Sequence, residues 1–289
     1  MPLKLLRTED DRTLTIERGL YTKRFLLIVD RETCRGCGIC ERVCHTGAIS
    51  LHERPKEVID GKERAVRAQI DIDPHLCDHC GICEATCPFA AITHTLNEEP
   101  MVCVHEFDAF PEYIREIVID ESKIAPYIKK VETLCPLGLI SVEDGKLAID
   151  EKSCPCCRVC EDRTDGAIKV RKIFHGSIKI EQEKCPKGCQ NCFDVCPVEA
   201  LALRDDGKVY PIDKFCVYCE ACVKVCPEPE ALTVIRTSIR HTQVKSGAWN
   251  KTLEKLATDT ALEQEMRAKR RSKVAESMTR RQVIGAGGD

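Results

Sequence analysis

Short apolar runs recur along this chain, and each is followed by a single acid. Leu26, Leu27, Ile28 and Val29 form one such run, while Ile178, Lys179 and Ile180 alternate instead; both patterns predict brief strands. The run-plus-acid signature occurs at Val29-Asp30, Ile72-Asp73, Ile119-Asp120, Ile149-Asp150, Ile180-Glu181 and Ile212-Asp213. Downstream of each comes a small-apolar turn: Gly47-Ala48-Ile49, Ala90-Ala91-Ile92, Gly138-Leu139-Ile140, Gly166-Ala167-Ile168, Glu199-Ala200-Leu201 and Glu230-Ala231-Leu232. The chain is therefore six copies of one half-unit, starting at 34, 77, 124, 154, 185 and 216. The base period is about thirty residues, with insertions in the first two copies. Each half-unit is expected to run strand, loop, short helix, strand, and two halves make one α+β module.

The loops change the picture, because that is where the cysteines are. There are 22 of them in 289 residues, against only 4% aromatics, so something other than large apolar side chains must staple the fold. Disulfides are one answer, but Met1 to Arg12 is polar and has no apolar signal core. No stretch approaches the ~20 apolar residues of a membrane span. We place the chain in a reducing cytoplasm, where dense cysteine means metal.

The spacing narrows the metal. Cys185, Cys189, Cys192 and Cys196 precede Pro197, and Cys216, Cys219, Cys222 and Cys226 precede Pro227. Three thiolates on a tight loop, then a fourth followed by proline, is the bacterial ferredoxin pattern, in which the fourth cysteine of each run serves the other run's cluster. One 4Fe-4S cluster then takes Cys185, Cys189, Cys192 and Cys226, and its neighbour Cys216, Cys219, Cys222 and Cys196. In the first module the same rule gives Cys34, Cys37, Cys40 with Cys87, and Cys77, Cys80, Cys83 with Cys44. There His45 stands in place of proline, loosening a turn without removing a ligand. The Val58 to Lys62 insertion between the two halves reads as a hairpin, either solvated decoration or a docking surface.

The middle module departs from the pattern. Cys154, Cys157 and Cys160 form a good triple, and Cys135-Pro136 lies where the returning ligand belongs. Its sister site is missing. The offsets of the third module fall on Ile124, Ile128 and Val131, and the ligand returning from the second half falls at Thr164 or Arg163. All four positions of one site are lost while all four of its neighbour are kept, as cross-ligation requires. Ile124, Ile128 and Val131 also read as one face of an amphipathic helix, and both readings hold if these side chains fill the vacated volume. Five 4Fe-4S clusters are thus expected on twenty cysteines. Cys103 and Cys156 are left over, read as inert thiols.

Zinc sites also use C-x2-C pairs, but as two separated pairs closing one tetrahedron. The x3-x2 spacing at Cys185 resembles radical S-adenosylmethionine enzymes, yet those lack a fourth thiolate and need a long barrel after the motif. No P-loop or GxGxxG spacing appears, and no nucleophile arrangement. The eight histidines read as scattered, solvated or structural residues. What remains is electron transfer, with no catalytic residue expected.

Net charge is −3, but from Arg236 onward twelve Lys/Arg face six Asp/Glu. An acidic body with a basic tail points to protein partners and not to nucleic acid. Leu253, Leu256, Ala257, Leu262, Met266, Val274 and Met278 predict one or two tail helices, with Thr260 and Glu263 as a capping box. The tail is read as an arm docking on a larger partner.

With these residues in hand, the chain resembles polyferredoxins, above all the polyferredoxin subunit of archaeal formylmethanofuran dehydrogenase, a complex of methanogenesis. The resemblance rests on Cys77 to Ile92, Asn97 to Pro100, Phe110 to Glu112 and Ser246 to Leu256. It implies a relay between an external donor, such as a ferredoxin or heterodisulfide reductase, and a tungsten or molybdenum pterin subunit that reduces carbon dioxide. Family members carry more modules than this chain. A polyferredoxin of a hydrogenase or heterodisulfide reductase complex, a radical-SAM-type enzyme and an Fe-S-stabilised scaffold are the alternatives. The expected architecture is three tandem dicluster ferredoxin modules at 1–100, 101–172 and 173–236, and a basic helical tail at 237–289.

Overall fold

A computed structural model describes residues 4–59, 61–243 and 247–257. The first stretch holds β1 (Lys4–Glu9), β2 (Thr13–Gly19), β3 (Arg24–Asp30), α1 (Ile39–Val43), β4 (Ile49–His52), β5 (Glu57–Ile59), β6 (Lys62–Arg64), β7 (Gln69–Ile72), α2 (Ile82–Ala85), β8 (Ile92–Leu96), β9 (Glu99–Pro100) and α3 (Cys103–Glu106). The second holds β10 (Glu116–Ile119), α4 (Glu121–Ile124), a 3-10 helix (Ala125–Thr133), β11 (Ile140–Glu143), β12 (Lys146–Ile149), α5 (Val159–Arg163) and β13 (Ile168–Arg171). The third holds β14 (Phe174–Ile180), α6 (Asn191–Val195), β15 (Leu201–Leu203), β16 (Val209–Pro211), α7 (Ala221–Lys224) and β17 (Leu232–Ile239), with α8 (Gly247–Ala257) after it.

Pairing follows one rule in each stretch. The outer strands join, β3 with β8, β10 with β13 and β14 with β17, all antiparallel. The inner strands also join, β4 with β7, β11 with β12 and β15 with β16. Two half-units therefore close on each other and bring their two cysteine loops together.

The acid that ends each first strand has a local job. Asp30 accepts from the Glu32 amide at 2.8 Å and the Thr33 hydroxyl at 2.6 Å, while its own carbonyl takes the Cys34 amide at 2.9 Å. Asp73 repeats this with the His75 and Cys77 amides, and Asp150 accepts from the Ser153 amide. Such side-chain turns stop the strand and aim the chain into the cysteine loop.

The N-terminal residues do more than their polar composition promises. β1 and β2 extend the first sheet to the order β1-β2-β3-β8-β9, with Leu14 and Ile16 fully buried. The inserted hairpin forms as expected (β5 with β6, turning at Gly61 with φ +73°), leaving Val58 72% exposed. Tandem order in sequence does not become linear order in space. One core joins Ile39, Val43 and Phe89 of the first stretch to Val195, Val209 and Leu232 of the third and Ile168 of the second. A smaller core lies under the N-terminal sheet.

The tail starts against its own chain. Trp249 and Leu256 of α8 are fully buried, and Trp249 meets Phe110 edge-on at 4.6 Å. Residues 258–289, with the capping box and the later tail positions, lie outside the described residues. Among those described, no helix is long and apolar enough to cross a membrane.

Candidate iron-sulfur sites

Each C-x2-C-x2-C loop carries two residues in the left-handed region, two and four positions after its first cysteine. They are Gly36 and Gly38, His79 and Gly81, Cys156 and Arg158, and Tyr218 and Glu220. Alternating left- and right-handed backbone turns successive amides inward, forming a nest for anions. The amides two residues on accordingly donate to sulfur: Gly36 to Cys34, Ile39 to Cys37, Val159 to Cys157 and Ala221 to Cys219. At Gly36 the conformation is also a steric need, because a Cβ would sit 2.2 Å from the Ala68 carbonyl oxygen.

The small-apolar turns serve the fourth cysteine. Their first residue has positive φ at Gly47, Ala90, Gly138, Gly166 and Glu199. The next amide then points back at sulfur: Ala91 N donates to Cys87 Sγ at 3.4 Å and Ala200 N to Cys196 Sγ at 3.3 Å. Amide donors of this kind stabilise thiolate and tune the redox potential of whatever it ligates.

The structure brings the expected cysteines together in five sets. Burial pushes Cys37 up to about 12, with the charges of Cys87 and Cys34 adding to it. Burial also lifts Cys83 far above the ordinary thiol range, helped by Cys80, Cys77 and Cys44. Cys192 reaches about 12 through burial and the nearness of Cys189, Cys226 and Cys185. Cys222 rises through burial and its neighbours Cys216 and Cys196. In the middle stretch Cys135, Cys154, Cys157 and Cys160 line one small cavity, walled by Ile117, Ile140, Ile149 and Val170. Neutral thiols gain nothing from such crowding in an apolar interior, whereas thiolates sharing a cluster of iron are matched to it. The residues fit 4Fe-4S clusters.

Where the sixth site would be, Ile124 is buried, Val131 packs on the core and Ile128 is half-buried. The expected amphipathic α-helix is instead one α turn and a 3-10 segment kinked at Lys130, which parts Ile128 from Val131 and the buried Leu134. Thr164 has become a turn fastener, its hydroxyl donating to the Cys160 carbonyl at 2.8 Å and accepting the Ile168 amide at 3.0 Å. Arg163 donates to the Thr133 carbonyl.

Three features escape the spacing rules. Cys156 occupies the left-handed position filled by Gly36, His79 and Tyr218 elsewhere and is fully buried. Its thiol donates to the Cys154 carbonyl at 3.9 Å, and the nearness of that thiol holds Cys154 below the ordinary thiol range. Three histidines, read above as scattered, instead gather at the Cys44, Cys77, Cys80 and Cys83 set. His45 Nδ1 lies 4.0 Å from Cys80 Sγ with its Nε2 2.9 Å from Asp78. Buried His94 stands 4.0 Å from Cys83 Sγ, its Nδ1 held by Glu84 at 3.0 Å, and buried His79 edges onto its ring. The only sequence sign was His45 in a proline position. Cys103 begins α3, whose first turn packs on the loop of Cys80 and Cys83: a Cβ on Gly81 would lie 3.3 Å from the Cys103 nitrogen.

Fold and thiol geometry define an iron-sulfur protein of the dicluster type. Models of 4Fe-4S dicluster domains match residues 33–91 and 177–227. The chain is 38% identical over 60 residues to a ferredoxin of Methanothermococcus thermolithotrophicus, covering 20% of this chain and 97% of that protein. It is 32% identical over 98 residues to a tetrathionate reductase component of Salmonella typhimurium, covering 28% of this chain but only 39% of that protein. A chain of a solved formate dehydrogenase–heterodisulfide reductase–formylmethanofuran dehydrogenase complex from Methanospirillum hungatei superposes with TM-score 0.76. That match has 28% identity and covers 89% of this chain and 92% of that one. The chain belongs to the 4Fe-4S ferredoxin family.

Proposed function

We propose that this chain is a polyferredoxin of three dicluster modules carrying five 4Fe-4S clusters. In this reading it relays electrons to the tungsten- or molybdenum-pterin site of a formylmethanofuran dehydrogenase complex. The carrying observation is the fivefold gathering of thiols with the sixth set replaced as a whole. The assignment to the complex is supported by the likeness over 89% of the chain to a component of the Methanospirillum hungatei assembly.

The ligand sets are those of cross-ligation: Cys34, Cys37, Cys40 and Cys87; Cys77, Cys80, Cys83 and Cys44; Cys135, Cys154, Cys157 and Cys160; Cys185, Cys189, Cys192 and Cys226; Cys216, Cys219, Cys222 and Cys196. Bound clusters supply one-electron redox chemistry. The chain supplies the rest. Loop amides hold the sulfurs as thiolates, the apolar walls keep water away, and the fully thiolate-coordinated sites leave no iron for substrate. The reading is tested by purifying the chain with its natural partners under anaerobic conditions. Co-elution with a tungsten or molybdenum subunit, and loss of carbon dioxide reduction by low-potential donors on its removal, are expected. Activity undiminished without the chain would overturn the relay. Co-elution with a hydrogenase or heterodisulfide reductase alone would move it to that complex.

A further inference from the structure

The first and third pairs of sites are far apart in sequence and in direct contact in space. α1 follows Cys37 and Glu220 follows Cys219 at the mouth of α7, and charge joins α1 to that residue. Arg42 Nη2 lies 2.7 Å from Glu220 Oε2, and Arg236 Nη2 lies 2.7 Å from Glu220 Oε1. Glu220 is 7% exposed and Arg236 2%. A Cβ on Gly38 would reach 3.0 Å from Lys224 Cε, so the loop ends touch as well. Asp194, beside the outer site of the third pair, accepts the Ala65 amide at 3.1 Å. After burial, Cys37 is the strongest influence on Cys219, and the half-buried Arg35 is close to both Cys34 and Cys219.

The middle site sits to one side of this contact. Lys172 lies between Cys216 and Cys157, anchored on the Asp213 carbonyl at 2.8 Å. Arg115 donates to the Cys154 carbonyl at 3.0 Å and is felt by Cys87. Each outer pair thus reaches the middle site, and neither needs it to reach the other.

We propose that electrons cross directly between the first and third pairs at Cys37 and Cys219, through an interface clamped by Arg42, Glu220 and Arg236, and that the middle site is a side branch. The proposal rests on the relay reading above. It changes the order of the wire, from the sequence order of the modules to outer site, facing site, facing site, outer site, with one spur. A buried Arg–Glu–Arg set is costly unless it fixes something an apolar contact would leave free. Here it fixes the register of two redox loops. Its net charge is positive, and Arg236 acts on Cys37, which favours the reduced form of the site there.

The test is electron paramagnetic resonance of the reconstituted, fully reduced full-length chain. Cys80→Ala with Cys83→Ala, and Cys185→Ala with Cys189→Ala, silence the two outer sites. Adding Cys157→Ala with Cys160→Ala silences the middle one, with iron analysis tracking each loss. The two facing sites are expected to keep a spin–spin splitting after the middle site is gone. Two unsplit spectra would overturn the direct crossing. Should the stripped chain fail to take up iron, Glu220→Gln in the otherwise natural chain decides. Its full iron content with a reduced splitting supports the clamp, and an unchanged splitting refutes it. Sites that bind iron but cannot be reduced at all would instead sink the relay reading beneath it.

Discussion

Trp249→Ala is expected to release α8 from the body while leaving the sheets intact. The helix is eleven residues long, too short to persist alone in water, so docking holds it. Trp249 is fully buried, edge-on to Phe110 at 4.6 Å and to His241 at 5.9 Å. At the other end, Leu256 is fully buried and its carbonyl accepts from Arg236 Nε at 2.5 Å. Removing a buried Trp costs about 3–5 kcal/mol. At 1.4 kcal/mol per tenfold, that is roughly two to three and a half powers of ten in the undocking equilibrium. Amide hydrogen exchange by mass spectrometry reads this directly, because local opening sets the rate in such a segment. The α8 peptides should exchange faster by that factor, up to the limit set by the segment's own stability, and the β10–β13 peptides by little. Unchanged α8 protection would show that the Trp pocket does not hold the helix. A uniform loss everywhere would show that α8 and the body unfold as one unit.

Cys226→Ala should cost the site on Cys185, Cys189 and Cys192 and spare the one on Cys216, read by iron content and site-resolved spectroscopy; loss of the Cys216 site instead would refute cross-ligation. Reconstituted protein should hold about twenty irons, five sites of four, and a value near 24 would mean a sixth site exists. Cys156→Ala should keep all its iron but lower the midpoint potential of the middle site, because it removes the thiol whose nearness favours the Cys154 thiolate; an unchanged potential would make Cys156 filler. The iron-free chain should lose stability as pH rises from about 9 toward 12. Buried Cys37, Cys80 and Cys157 stay protonated to about 12 in the fold but ionise near the ordinary thiol value of 9.0 once unfolded. Cys154, held at about 7, works the other way between 7 and 9. Urea midpoints that rise over that upper range would contradict the burial.

The repeat was legible because every half-unit needs the same few residues for the same reasons. A strand must stop at an acid that can hold the next amides, as Asp30 and Asp73 do. The turn after the fourth cysteine must tolerate positive φ, so that Ala91 and Ala200 can point at sulfur. These are local demands, written locally. Leu14 and Ile16 alternate with threonine and glutamate, a strand signal, but a chain end rich in charge masked it. The contact of the first and third pairs was not legible. Arg42 and Glu220 are 178 residues apart, and nothing in either neighbourhood marks them as partners. The gathering of His45, His79 and His94 was hidden for the same reason, since cross-strand proximity decides it and spacing does not.

In the proposed five-cluster reading, the replaced positions of the sixth site explain why such sites would come and go as wholes. Keeping one or two thiols there would bury groups that the fold holds neutral, without iron to share them. The chain has instead replaced each position with a group suited to its surroundings. Ile124 is buried apolar volume, and the kinked 3-10 segment that follows it ends on buried Leu134 where the other half-units carry a cysteine loop. Thr164 uses its hydroxyl on two backbone groups that the lost loop geometry would otherwise have left open. A single Ile124→Cys change would thus restore a thiol but no site. Its sulfur would lack both the left-handed loop amides and three partners, so iron content should not rise. Recovering the site would require the loop from Ile124 to Val131 and the return at Thr164 to change together.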